Sequence, residues 1–292
     1  MASTFTVYGC CETIQIQPSE YSDGATKVNF PVVFQSDSSP RVYVDARIKD
    51  SIGLVALPSI TNRIREAYYQ AFGNDLIEIH LLLTYIPHAR QDRYTGDNAF
   101  TFKYSALPLL VAADTDLIIV EDPHSHVSVD LLREAGCNVH VITQLASLTS
   151  SGMIKALKAF DYDYVIAPDA GSVERASAMA MELGLEKSDI LQLTKSRDPN
   201  TGHLTFEPYI LKDPSKPSAK AIMFDDIGDG CWTHILAARA LRESGNISHV
   251  SLVLTHGILS KGVEHLSPEI DEVIILNDWR ENTFSIQSLE TF

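Results

Sequence analysis

Two adjacent carboxylates, Asp225 and Asp226, end an apolar run and lead into the segment IMFDDIGDGCWTHILAARAL, residues 222–241. The pattern reads as a strand, then a short turn carrying Gly228, Asp229 and Gly230, then a helix for which Thr233 is placed as the cap. Such a junction presents backbone N–H groups and a helix N-terminus at the end of a strand, which is a ready anion site. Carboxylates beside a phosphate cradle would repel the phosphate. They make sense if they hold ribose hydroxyls while the cradle holds a 5-phosphate. The competing reading is a turn that uses Asp and Gly for its geometry alone.

Other polar groups fall at comparable places. In IPHARQDR, residues 86–93, Arg90, Gln91, Asp92 and Arg93 follow an apolar strand. Guanidinium groups there suit phosphate oxygens or stacking on a base, and a solvated charged loop is the plainer alternative. VEDPHSHV, residues 120–127, offers Asp122, His124 and His126 as metal ligands or as ordinary surface groups. In VIAPDAGSVERA, residues 165–176, Asp169 stands at a strand end ahead of a tight turn and a helix, where a carboxylate can hold Mg2+ directly or through water. Lys195 and Arg197 in LTKSRDPNTGHLT lie two apart and so share a face of an extended segment. Two cations on a loop can stabilise a transferring phosphoryl group; a solvated basic loop is the alternative. His256, in THG, either supports a site or only satisfies a strand end.

The elements that must position these groups alternate. The first 50 residues read as short strands: TFTVYG, TIQIQP, KVNFPVVF and RVYVDARI, with TIQIQ as one arm of a half-buried hairpin. A helix is expected over residues 57–72, opening at Pro58 and Ser59 and closing at Gly73. Strands follow at Ile77–Leu83, Leu117–Glu121, Val139–Thr143, Tyr164–Ala167, Ile190–Leu193, Ala221–Phe224, Val250–Leu254 and Glu272–Leu276, with helical patterns between them. Continuous apolar runs such as LIIV and VSLVL suit parallel strands covered on both faces. The expected fold class is therefore α/β, and ligands are expected beyond the C-terminal ends of the strands. A boundary at residues 143/144 divides the chain into two α/β halves, 1–143 and 144–292, with the last fifteen or so residues expected to pack back on the first half. Residues 195–218 read as a long loop or an exposed hairpin.

Composition narrows the function classes. The chain has 292 residues and a formal net charge of −15, which argues against a nucleic-acid binder, so any positive charge for polyphosphates must be local. No apolar run approaches the roughly 20 residues that span a bilayer, and the opening segment lacks the pattern of a secretory signal; a cytoplasmic location is expected. The four cysteines, Cys10, Cys11, Cys137 and Cys231, have no zinc-type spacing and read as reduced thiols.

These blocks, collinear from about Tyr21 to about Trp279, resemble those of class I ribose-phosphate pyrophosphokinases, the PRPP synthases. YSDGATKV is similar to the family's adenine-contacting segment, IPHARQDR to its ATP block, DPHSHV to its metal block, APDAGSVERA to its Pro-Asp block, TKSRD to its catalytic loop and DDIGDGCWT to its ribose-phosphate loop. The resemblance implies two phosphoribosyltransferase-type α/β domains, ATP and Mg2+, and a homo-oligomer, dimer or hexamer, with shared sites. By position it implies ATP contacts at Tyr21, Asp23, Arg90, Gln91, Asp92 and His124, and metal contacts at His124 and Asp169. Lys195 and Arg197 would be catalytic. Asp225 and Asp226 would hold ribose hydroxyls, and Asp229, Gly230, Cys231, Trp232 and Thr233 the 5-phosphate. Ala25 stands where the family often has Glu, and Cys231 and Trp232 replace small residues of the phosphate loop. The N-terminal region is shorter than the usual family chain by about one strand–helix unit.

The implied reaction is in-line attack of an acceptor's 1-hydroxyl on the β-phosphorus of ATP, with AMP leaving. Ribose 5-phosphate, giving PRPP, is the first acceptor expected and ADP-ribose, giving its 1-pyrophosphate, the alternative. A phosphoribosyltransferase or a non-catalytic regulatory paralogue are the rival classes. The first would not need the Arg90 block, and the second should have lost Lys195 and Arg197.

Overall fold

Asp50 sets the first long helix. Its carboxylate accepts the amide of Gly53 at 2.8 Å and the hydroxyl of Ser3 at 2.6 Å, so α1 (Ser51–Phe72) starts six residues before the expected position, and Pro58 lies inside it. The cap outweighs the proline as a start signal. The helix ends as expected, at Gly73 with φ 70°. The computed structural model describes residues 2–35, 38, 40–94, 99–197, 204–209, 216–243, 245–266 and 268–280, with the backbone alone for 194–197 and 204–209. The C-terminal segment expected to pack back on the first half lies almost wholly outside the described residues.

The chain divides into two compact units, Met1–Thr143 and Gln144–Phe292. The first holds β1 (Thr4–Tyr8), β2 (Ile14–Ile16), β3 (Ser19–Glu20), β4 (Thr26–Lys27), β5 (Arg41–Arg47), β6 (Glu78–Leu83), β7 (Leu117–Glu121) and β8 (Val139–Ile142), with α1, α2 (Leu107–Ala112) and α3 (His126–Glu134). Its main sheet runs β2-β1-β5-β6-β7-β8, with β5 to β8 parallel and β1 antiparallel to both neighbours. Val42, Val44 and Ala46 alternate along β5 and share one buried cluster with Leu54, Leu57, Ile60 and Ile64 of α1. KVNFPVVF was expected to be a strand, but only Thr26–Lys27 pairs. Pro31 has no N–H for a ladder, and the segment buries Val32 and Phe34 without one.

Opposite that cluster, β5 carries Asp45, whose buried Oδ1 has no hydrogen-bond partner among the described residues. Burial pushes this carboxyl up to about 6, and the nearby charge of Arg47 offsets only part of the shift. An unfolded aspartate titrates near 4. The folded chain therefore holds this proton more tightly, and the associated stability is complete below about pH 4 and lost as pH rises through about 6. Above that the deficit is on the order of 3 kcal/mol. Asp45→Asn is expected to raise the thermal midpoint at pH 7.5 and to leave it nearly unchanged at pH 4; equal shifts at both values would contradict this.

The second unit contains α4 (Gln144–Ser150), α5 (Met153–Phe160), β9 (Tyr164–Ala167), α6 (Val173–Leu183), β10 (Ile190–Arg197), β11 (Leu204–Tyr209), β12 (Ala219–Gly228), α7 (Trp232–Glu243), β13 (Ile247–Gly257) and β14 (Glu272–Asp278). The sheet order is β11-β10-β9-β12-β13-β14, with only β11 antiparallel. Strand order reverses between β9 and β12. Loops leaving a parallel sheet at such a point part in opposite directions and open a crevice. Those loops are the ones that carry Asp169 and the 225–231 segment. The 195–218 segment forms, in part, the hairpin β10–β11, in register Lys195↔Phe206 and Arg197↔Leu204.

Candidate active site

In the second unit the strand β12 runs on past its expected end, through Asp225 and Asp226 to Gly228. The carbonyl of Gly228 accepts the amides of Ile258 at 2.8 Å and Leu259 at 3.0 Å, which ties the turn to the end of β13. A Cβ at Gly228 would lie 2.3 Å from Leu254 Cδ1 and 3.0 Å from Cys231 Sγ, so only glycine lets the turn pack here. Cys231 then adopts φ 53°, and its carbonyl accepts the first intrahelical bond of α7, from Ile235 N at 3.0 Å. The helix therefore begins at Trp232, and Thr233 lies inside the first turn instead of capping it. The leading amides of α7 are left outside the helical ladder, as an anion cradle requires.

The two carboxylates do not share one environment. Asp225 Oδ2 lies 2.8 Å from Nε2 of His234, and Asp225 Oδ1 accepts the amide of Asp226 at 3.0 Å. Asp226 is buried, with Arg175 of α6 at 3.8 Å from its Oδ1. Gln144 links the two: its Nε2 donates to the Asp225 carbonyl at 2.8 Å, and its Oε1 accepts from Arg175 at 3.2 Å. Burial alone would raise Asp225, but its contact with His234, aided by Asp226 and Arg175, holds it below the ordinary carboxylate range. Burial disfavours charge on His234, yet Asp225 and the neighbouring Cys231 thiol push it up to about 10. The contact thus favours the imidazolium beside the carboxylate, while Nδ1 of His234 is buried with no hydrogen-bond partner among the described residues. His234, Arg175 and Gln144 went unnoticed as site residues in the sequence. The signal was there for Arg175, which stands inside the quoted APDAGSVERA block, but only folding shows its partner.

Around the cradle, Trp232 is 49% exposed. The ring of His265 meets it edge-on at 4.8 Å between centroids, and Lys261 Nζ lies 4.9 Å from its ring centre. Asp169 uses Oδ1 to accept the amide of Ser172 at 3.1 Å, fixing the loop after β9. His256 is buried at the end of β13. Lys195 and Arg197 lie on β10 by backbone, and their side chains are outside the described set.

In the first unit, Arg90 and Gln91 sit exposed on a single 3-10 turn, Ala89–Gln91, beyond β6. Asp92 is buried: it accepts from Arg93 Nε at 2.9 Å and from the hydroxyl of Ser125. Burial raises its carboxyl, but Arg93, Ser125 and the charge of His124 prevail and keep it low. Asp92 thus braces the loop after β6 against the loop after β7, and Arg90, Gln91 and His124 are exposed, with Gln91 Oε1 accepting from the hydroxyl of Thr101 at 3.0 Å. Asp122 is buried with φ 40°, while His126 is exposed in the first turn of α3. Tyr21 and Asp23 belong to the β3–β4 hairpin turn, where Asp23 Oδ1 accepts Ala25 N at 3.0 Å and the Tyr21 ring is 54% exposed. Among the described residues no group of three or more His, Cys, Asp or Glu side chains could hold a metal ion. Nor is any described helix long and apolar enough to cross a membrane.

Ribose-phosphate pyrophosphokinases of Pyrococcus abyssi and Sulfurisphaera tokodaii are 26% and 29% identical to the chain, over 201 and 202 residues, 68% of this chain in each case. The chloroplastic ribose-phosphate pyrophosphokinase 2 of Oryza sativa subsp. japonica is 32% identical over 206 residues. The matched region spans 65% of each archaeal relative and 47% of the rice protein. The fold matches phosphoribosylpyrophosphate synthetase from Mycobacterium smegmatis with a TM-score of 0.66 at 22% identity, covering 89% of this chain and 79% of that one. The chain thus resembles ribose-phosphate pyrophosphokinases in sequence, and its mixed α/β fold with parallel sheets flanked by helices matches that of a phosphoribosylpyrophosphate synthetase. No family model matches it.

Proposed function

We propose that the chain transfers the β,γ-diphosphate of ATP to the 1-hydroxyl of ribose 5-phosphate, releasing AMP. One observation carries the reading: paired carboxylates with separate counter-charges stand beside a phosphate cradle at the switch point of a parallel sheet. Asp225 and Asp226 accept from the ribose hydroxyls, while the first turn of α7 holds the 5-phosphate. Arg90 and Gln91 of the first unit engage ATP, with Tyr21 offering a stacking face for adenine. No residue serves as a covalent nucleophile; positioning and charge neutralisation suffice for this class of transfer.

Mg2+ usually keeps several waters and is held by substrate phosphates and one or two carboxylates. In this reading His124 of the first unit and Asp169 of the second each contribute a metal contact. AMP formation from ATP and ribose 5-phosphate should require Mg2+ and stop with EDTA. His124→Ala and Asp169→Ala should each shift the Mg2+ titration to higher concentration. ADP and inorganic phosphate as products, or unchanged titrations in both variants, would count against the assignment.

A second reading has its own observation. Trp232 packs edge-on against His265 yet leaves about half of its surface open, and an indole placed there suits an acceptor whose 5-phosphate carries a further nucleotide, such as ADP-ribose. Whether acting on ribose 5-phosphate or ADP-ribose, the enzyme is expected to work as a homo-oligomer.

A further inference from the structure

We infer that His234 is a positioning residue for the acceptor, acting through Asp225; this rests on the reading of Asp225 as a ribose-binding carboxylate. Asp225 and Asp226 are successive residues of one strand, so their side chains leave on opposite faces and meet different neighbours, and burial penalises a charge on either. A site that needs both ionised must supply a cation to each. Arg175 faces Asp226, and His234 faces Asp225. The division of exposure fits these roles. The His234 side chain is 4% exposed and makes its contact from behind, whereas Asp225 keeps 31% of its side chain open for a ligand.

The origin of His234 adds a second point. It comes from the first turn of α7, the same turn whose amides form the cradle. One short helical segment therefore sets both the site for the phosphate and the orientation of the carboxylate that receives the sugar hydroxyls. The charged groups around Asp225 are His234, Asp226 and Arg175, with Gln144 on its carbonyl and Cys231 beside the imidazole. Removing His234 takes from Asp225 the 2.8 Å contact to its Oδ2 and leaves the more distant influence of Arg175.

The test uses calorimetric affinity for ribose 5-phosphate, turnover, and the variants His234→Ala, His234→Gln and Asp225→Asn. His234→Ala should weaken ribose 5-phosphate about 10-fold or more, by the loss of a charge-assisted hydrogen bond, with ATP affinity nearly unchanged. His234→Gln, which restores a donor, should recover most of this. In the Asp225→Asn background the alanine change should add little, because the histidine acts through that carboxylate. Equal losses for ATP and acceptor, or a double variant in which the two effects simply add, would overturn the inference. Wild-type protein that binds ribose 5-phosphate but forms no AMP would sink the pyrophosphokinase reading alone, and the variants would still decide the role of His234. A wild type that binds no ribose phosphate at all would remove both.

Discussion

Lys195→Ala and Arg197→Ala are each expected to lower kcat roughly 100-fold or more, with acceptor affinity little changed, by analogy with the loss of one preorganised charge donor. The backbone supports a role late in the reaction. Strand β10 pairs with β9 only from Ile190 to Gln192 and continues to Arg197 paired with β11 alone. The two residues thus ride a two-stranded ribbon past the edge of the sheet. Positions 195 and 197 are two apart on a strand and share a face. Contacts made mainly in the closed state raise kcat without tightening the ground state. Steady-state kinetics with ribose 5-phosphate and ATP check this: near-normal turnover in both variants would return the ribbon to a solvated surface.

Trp232→Ala should separate the two acceptor readings. If the indole stacks on a base carried by the acceptor, the change weakens ADP-ribose by about 10- to 100-fold and leaves ribose 5-phosphate nearly unaffected, as base–aromatic stacking is worth about 1–3 kcal/mol. Lys261 lies over the same ring, but a cation–π contact at an exposed site contributes only about 0.5–1 kcal/mol, so a base can displace it. A purely packing role predicts lost stability and both acceptors impaired together. The exposure of the ring opposes that role. A wild-type enzyme that ignores ADP-ribose ends the longer-acceptor reading whatever the variant does.

Much of the architecture was legible because its signals are local. Apolar runs such as LIIV and VSLVL mark parallel strands by composition, and each lies within an observed strand. Asp225, Asp226 and the glycines after them announce a strand–turn–helix junction through residue types that few other structures tolerate. The family resemblance could be read for the same reason: the blocks are short and collinear. The misses came where two local signals competed. Pro58 looked like a helix start until the Asp50 cap, one turn and more upstream, proved the stronger. Thr233 looked like a cap because the sequence does not show that Cys231 takes φ 53° and lets α7 begin earlier.

Other features depend on pairs that are distant along the chain. Asp92 and Ser125 are 33 residues apart, and Gln144 reaches the carbonyl of Asp225 across 81. No periodicity encodes such contacts; they exist only once parallel strands bring successive loops to the same edge. The charge states of the site have the same origin. Asp225 and His234 are ordinary titratable residues in the sequence, and it is their 2.8 Å contact that lowers the carboxyl and raises the imidazole. The sequence by itself determined the fold class, the family resemblance and the strand-end loops where polar groups gather. The tertiary structure decided which of those groups are braced, which are open to a ligand and which are charged, because burial and through-space pairing are properties of packed neighbours.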